Sequence, residues 1–225
     1  SGGVAAALPD FLAPQLATRV DRTPSDASEW QYEIKFDGYR ILTRVEVGEV
    51  KLFTRNNNNW TSKLRHLAKA IASAKYPDGW YDGEIVVLND KGMPDFGALQ
   101  RAFDTPAASD IVLYLFDLPY CGGRDFRAVA LERRRTLLQS IVARAPNDSL
   151  RFSETFDGAL TDILTAACKL GLEGVMGKRR GSSYVSQRST SWIKLKCGER
   201  QEFLVGGYTD PKGSRDAFGA LLLGI

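Results

Sequence analysis

Histidine is nearly missing from this chain: His66 stands alone among 225 residues. It lies in SKLRHLAKAIASA, whose apolar spacing predicts an amphipathic helix with His66 at its surface. One histidine leaves no His-based metal site and no Ser–His or Cys–His nucleophile pair. Cysteine is scarce as well. Cys121, Cys168 and Cys197 are odd in number and widely spaced, and no two form a C-x-x-C pair. That pattern predicts neither a disulfide framework nor a zinc ribbon, and it fits a reducing compartment. No run approaches the roughly 18 apolar residues that a bilayer span requires. The N-terminal SGGVAAALPDFLAP has no basic n-region and no long apolar h-region, so no signal peptide is expected. Enzymatic chemistry here must run on Lys, Arg, Asp and Glu.

Those four residue types are plentiful. The net charge of +3 permits nucleic-acid binding without arguing for it. Its distribution says more. Lys178, Arg179, Arg180, Arg188, Lys194, Lys196 and Arg200 face only Glu199 within residues 178–200. Such a block suits a phosphate-bearing partner, although a solvated face looks the same.

The length allows one large domain, or one domain and part of another. Residues 1–28 are rich in Ala, Pro and Ser and read as an irregular lead-in. From Trp30 the pattern alternates as strands do, with a hairpin turn at Gly48–Glu49. A helix follows at 61–75, then the strand GWYDGEIVVLND, the short helix DFGALQRAFD and the apolar strand DIVLYLFDLPY. ALERRRTLLQSIVARA and ALTDILTAACKLG read as helices, the second with Gly171 as its C-cap. LEGVMGKRR and SWIKLKC are further strands, and residues 199–225 read as strand, loop and strand. Strands and helices mix without regular β–α–β alternation. The expected class is α+β with a largely antiparallel sheet.

Strand alternation sorts the charged residues. In YEIKFD, Tyr32, Ile34 and Phe36 share one face, and Glu33, Lys35 and Asp37 share the other. Gly38 then permits a sharp turn or a close approach. Lys35 is either a surface residue of a half-exposed strand or a nucleophile, since a neutral lysine amine forms covalent intermediates. In SWIKLKC, Trp192, Lys194 and Lys196 share a face. Two lysines placed so can clamp phosphates, and clustered ammonium groups favour a neutral neighbour. An amphipathic edge strand would carry lysines too. Asp82 and Glu84 share a face that suits ribose hydroxyls or a metal. Phe116, beside Asp117, alone would read as a core aromatic. Glu173 and Lys178 would face opposite ways in a regular strand, unless Gly177 bends the chain.

The order of these motifs is distinctive: Lys-x-Asp-Gly-x-Arg, Arg-Asn, Asp-Gly-Glu, Phe-Asp, Glu-Gly-x-x-x-Lys, Lys-x-Lys. It resembles the covalent nucleotidyltransferase superfamily of ATP-dependent DNA ligases, RNA ligases and capping enzymes. EGVMGKRRGSSY, WIKLKC and EFLVGGYTDPKGSR look like the ligase domain of bacterial end-joining ligases. The resemblance covers residues 8–225. It implies an adenylation domain at 29–198, built as an α+β nucleotidyltransferase core, and the first strands of an incomplete OB barrel at 199–225. It implies that Lys35 attacks the α-phosphate of ATP to become a lysyl-adenylate. Glu33 would lie near the adenine amino group, and Phe116 would stack on the ring. Arg40 would contact ribose or nick phosphate, Arg55 the sugar and phosphates, and Glu84 the ribose hydroxyls. Lys178, Lys194 and Lys196 would neutralise phosphates. Glu173, with Asp37, would hold Mg or Mn. The implied substrate is nicked or broken double-stranded DNA, sealed by a monomer during non-homologous end joining in the bacterial cytoplasm at the nucleoid. The end-binding protein Ku and flanking polymerase or nuclease domains are the implied partners, and no membrane is involved.

Two departures stand out. In RNNNNW, Asn57 occupies a position where relatives more often have glycine, and Asn59 one where they have an acid. Asn is the non-glycine residue most at ease with positive φ, so the turn is expected to survive. The barrel also stops short, so weak self-adenylation with slow sealing of a pre-adenylated nick is expected. The alternatives are an RNA ligase, a guanylyltransferase, or a non-catalytic nucleic-acid-binding fragment. The short lead-in leaves little room for the nicotinamide-binding module of an NAD-dependent ligase.

Overall fold

The computed structural model describes residues 2–103, 106–156, 158–198, 204–209 and 221–224. In chain order its elements are β1 (Val4–Ala5), β2 (Leu16–Arg19), β3 (Trp30–Ile34), β4 (Tyr39–Glu46), β5 (Glu49–Thr54), α1 (Arg65–Ser73), β6 (Gly79–Val87), α2 (Phe96–Ala102), β7 (Ile111–Cys121), β8 (Arg124–Asp125), α3 (Leu131–Arg144), β9 (Leu150–Phe152), α4 (Leu160–Lys169), β10 (Gly174–Arg179), β11 (Arg188–Lys196), β12 (Leu204–Tyr208) and β13 (Leu221–Gly224). The α+β class holds. One sheet runs β1-β8-β7-β6-β4-β5, with β9 added on β7, and a smaller one runs β2-β11-β10-β3. All pairings are antiparallel except β7 with β9 and β11 with β2. Among the described residues, no helix is long and apolar enough to cross a membrane.

Three apolar clusters fix how these parts sit. The helices α1 and α3 lay Leu67, Ile71, Leu138 and Ile141 against Ile41, Leu52, Ile85 and Leu113 of the large sheet. α4 covers the outer face of the small sheet, with Leu160 and Ala167 against Tyr32, Val175, Ile193 and Leu195. Between the sheets, Leu42, Trp80, Phe116 and Tyr120 meet Tyr184 and Trp192. Trp80 and Trp192 are fully buried there, and truncating such a side chain typically costs about 3–5 kcal/mol. The two sheets therefore face each other over a shared aromatic seam.

Four sequence expectations need correction. The lead-in is not wholly irregular: β1 extends the large sheet and β2 pairs with β11. Strands of two and four residues are too short to show period-2 patterning against an Ala- and Pro-rich background. The hairpin turn is Val47–Gly48, one residue earlier than expected, because Glu46 pairs with Glu49. Both turn residues have positive φ, 49° and 79°, as a twisted two-residue hairpin loop demands. Third, β10 runs through Gly177 in unbroken register, so no bend there turns Glu173 and Lys178 to one side. The glycine with unusual backbone is Gly174, at the start of β10: its φ is 148°, and a Cβ there would come 2.0 Å from the Leu195 carbonyl oxygen. Finally, Cys168 and Cys197 are joined in a disulfide, with Cα atoms 5.2 Å apart. The last turn of α4 and the end of β11 meet only in the fold, so spacing along the chain could not reveal the pair. Cys121 is buried and free. β12 and β13 pair antiparallel. The loop expected between them lies outside the described residues.

Candidate active site

A cavity of about 520 Å³ opens between the two sheets, a size that suits a small-molecule ligand. The small sheet contributes Glu33, Met176, Lys178, Trp192 and Lys194 to its walls, and Lys35 follows directly after β3. The large sheet contributes Tyr39, Arg40, Glu84 and Phe116, and Arg55 stands in the loop after β5. Eight of the eleven residues singled out from the sequence thus line one space: Glu33, Lys35, Arg40, Arg55, Glu84, Phe116, Lys178 and Lys194. The other three, Glu173, Lys196 and Asp37, gather around Lys35.

β3 ends at Ile34, so Lys35 is one residue beyond the strand. Its backbone N–H still donates to the Gly174 carbonyl at 3.0 Å, which keeps it in register with β10. The Lys35 ammonium contacts the Glu173 carboxylate, which also accepts from Lys196 Nζ at 2.8 Å. Glu173 is held below its usual carboxyl range. Burial works against its charge, and the hydrogen bonds from Lys196 and Lys35 outweigh it. Burial pushes Asp37 up, helped by the neighbouring Glu173 charge. Lys194 is pulled down by burial and then by Lys35, Lys196 and Arg188. Positive charge is therefore concentrated here, as anion binding requires. Among the described residues no three His, Cys, Asp or Glu side chains form a metal cage. Glu173 and Asp37 are nevertheless hard oxygen donors. Such a pair fits a divalent cation that completes its shell with water and phosphate oxygens.

The far end of the cavity is aromatic. Phe116 is 6% exposed, and two cations lie near its ring: Lys178 Nζ at 4.3 Å from the centroid and the Arg40 guanidinium at 4.6 Å. Trp192 stands edge-on to Phe116, with Lys178 4.4 Å from its own ring. Lys178 and Arg135 each reach Glu33 Oε1 at 2.8 Å, and Ser153 donates to Glu33 Oε2 at 2.9 Å. Glu33 and Lys178 are both almost fully buried. Burial lowers Lys178 to about 8, with Glu33 opposing the shift and Arg135 adding to it. Lys178 is thus paired with Glu33 beside the two aromatic rings. Glu84 lies between the two ends. Enclosure in the cavity wall raises its carboxyl to about 7, with Arg40 and Lys35 pulling the other way.

Arg55 is exposed on the rim, and the loop beyond it keeps its shape. Asn57 adopts φ 62°, the left-handed conformation expected of it. Asn59 Oδ1 accepts from the Thr61 backbone N–H at 2.9 Å, a bond that an aspartate would also accept. Sequence reasoning missed three buried contributors. Arg134 and Arg135 sit in the charged run of α3, which looks solvated, yet both are buried, Arg134 on Asp117 and Arg135 on Glu33. Their only sequence signal is the helical phase that places them beside Leu131 and Leu138. Gln15, fully buried, comes from the lead-in and carried no signal at all.

Comparison with known proteins agrees with this geometry. The chain is 53% identical to the multifunctional non-homologous end joining protein LigD of Pseudomonas aeruginosa, across 97% of this chain and 26% of that protein. It is 33% identical to the SPbeta prophage-derived DNA ligase-like protein LigB of Bacillus subtilis, across 88% of this chain and 72% of that one. A solved structure of mycobacterial DNA ligase D complexed with ATP and MES superimposes with a TM-score of 0.73 at 33% identity, across 95% of this chain and 68% of that one. The chain spans about a quarter of the length of the LigD proteins that it matches. The model of the ATP-dependent DNA ligase domain matches residues 14–196. That span takes in the small sheet, the large sheet apart from β1, and every residue lining the cavity, and the chain belongs to the ATP-dependent DNA ligase family.

Proposed function

We propose that this domain seals 5′-phosphate/3′-hydroxyl breaks in double-stranded DNA, with Lys35 as the residue that carries AMP. The observation that carries the reading is the contact with Glu173 of Lys35, which lines one cavity with Phe116, Glu84, Arg40 and Lys194. The Lys35 amine, in its neutral form, attacks the α-phosphorus of ATP. A P–N bond forms, the P–O bond to pyrophosphate breaks, and pyrophosphate leaves with the proton that the amine gives up. AMP then passes to the DNA 5′-phosphate, and the 3′-hydroxyl displaces it to join the strand.

Phosphoryl transfer of this kind rests on positioning and charge neutralisation, which explains how the chemistry manages without histidine. Phe116 takes the adenine face, with Glu33 and Lys178 at that end. Glu84 accepts from the ribose hydroxyls. Arg40 and Arg55 meet sugar and phosphate, and Lys194 and Lys196 offset phosphate charge. Glu173 and Asp37 are the residues that would hold Mg or Mn. A metal bound there withdraws charge from the phosphate oxygens. Residues 199–225 are read as the start of an OB domain that follows the adenylation domain at 29–198. The parent is taken as a monomeric bacterial end-joining ligase of the cytoplasm, with flanking polymerase or nuclease domains and Ku as a partner.

The test is a nick-sealing assay with wild type and Lys35→Ala, beside a DNA-binding measurement. Lys35→Ala should abolish ATP-dependent sealing and largely spare DNA binding. Sealing that persists in Lys35→Ala would remove Lys35 from its role. Replacing ATP by GTP should give no lysyl-nucleotide.

A further inference from the structure

Arg40 is held in an unusually complete frame. Its Nε and Nη2 groups both meet the Asp82 carboxylate, and Nη2 also donates to the Gln15 carbonyl at 3.3 Å. Asp82 is fully buried, and the Tyr184 hydroxyl donates to its Oδ2 at 2.7 Å. That hydroxyl in turn accepts the Gln15 backbone N–H at 3.2 Å. A tyrosine hydroxyl has one proton to give. Accepting from Gln15 therefore fixes its proton on Asp82, and the relay has one direction. Gln15 is pinned by its own side chain, which donates to Ser191 Oγ at 3.2 Å and accepts from the Val185 N–H at 2.8 Å. Burial opposes the Arg40 charge, and Asp82 beside it more than offsets this, so Arg40 stays firmly protonated.

Arg40 has N–H groups left over from this frame. A guanidinium carries five. Nε uses one and Nη2 two, so the two on Nη1 remain, and Arg40 borders the cavity. We propose that Gln15 and Tyr184 are positioning residues: they orient Arg40 through Asp82 and the Gln15 carbonyl, so that Nη1 is presented to a phosphate or ribose oxygen of the bound substrate. The inference rests on the reading of Arg40 given above. It makes Gln15 of the lead-in, fifteen residues before β3 begins at Trp30, part of the substrate frame.

A double-mutant cycle tests it, using single-turnover sealing of a pre-adenylated nick. Four proteins are compared: wild type, Tyr184→Phe, Arg40→Ala and the double variant. Tyr184→Phe keeps the ring against Trp192 and removes only the hydroxyl. A hydrogen bond to a charged group lost this way should slow sealing about 10-fold in the Arg40 background. In the Arg40→Ala background the same change should cost less than about 2-fold, because residues acting through one another are not additive. Equal losses in both backgrounds, or no loss in either, would overturn the proposal. Far-UV circular dichroism and melting curves show whether each variant folds. If Tyr184→Phe does not, Gln15→Met is read by the same criterion. A wild-type protein that fails to seal the nick rejects the underlying reading as well, an outcome distinct from an active protein with an additive cycle.

Discussion

Glu84 shows how a single residue can be pulled between stability and function. Its carboxyl is raised from the usual glutamate value of 4.5 to about 7, chiefly by its enclosure. A raised acid favours the protonated form in the fold. Its contribution to stability is thus complete below 4.5 and is lost as the pH climbs through about 7. Binding follows the opposite sign, because a carboxylate is the better acceptor for ribose hydroxyls. ATP affinity should therefore rise with pH through about 7, and Glu84→Gln should flatten that limb. Calorimetric titration of ATP across this range checks both curves, and an unchanged slope in Glu84→Gln would contradict the assignment. Most of the site was legible at this scale. Lys35, Glu33, Glu84 and Lys194 each lie on the face that strand alternation gives them. The unread residues are those whose role depends on packing from elsewhere. Arg135 looks like one more charge on a helix until the fold seats it on Glu33.

Among the elements, the passage from β3 to β4 is tightly constrained. A Cβ at Gly38 would lie 2.1 Å from the Ile85 backbone oxygen, and backbone cannot move aside as a side-chain tip can. Gly38→Ala should cost about 3 kcal/mol or more, at the upper end for overpacking. A urea midpoint indistinguishable from wild type would show that the strand adapts. The disulfide gives a second prediction. It ties α4 to the end of β11 across 29 residues, and closing such a loop stabilises by about 3–4 kcal/mol in the chain-entropy model. Cys168→Ser should lower the urea midpoint correspondingly under oxidising conditions and match the fully reduced protein. Helices and long strands were readable from their periodicity. Short strands and the disulfide were not, since both depend on partners distant in sequence.

At the scale of the molecule, two sheets close on an aromatic seam, and the cavity opens at the edge of it. Neither sheet holds a site alone. Lys35, Lys178 and Lys194 come with the small sheet, and Arg40, Glu84 and Phe116 with the large one. The ordered motifs of the sequence are the places where the chain crosses this one space. That explains why their order was informative and single motifs were weak. The central claim is that Lys35 carries AMP. It is tested most directly by prolonged incubation with ATP and magnesium, followed by intact mass measurement and peptide mapping. The account predicts an increment of one AMP, located in the peptide containing EIKFDGYR and absent from Lys35→Ala. An increment on another residue, or one that survives Lys35→Ala, would contradict it.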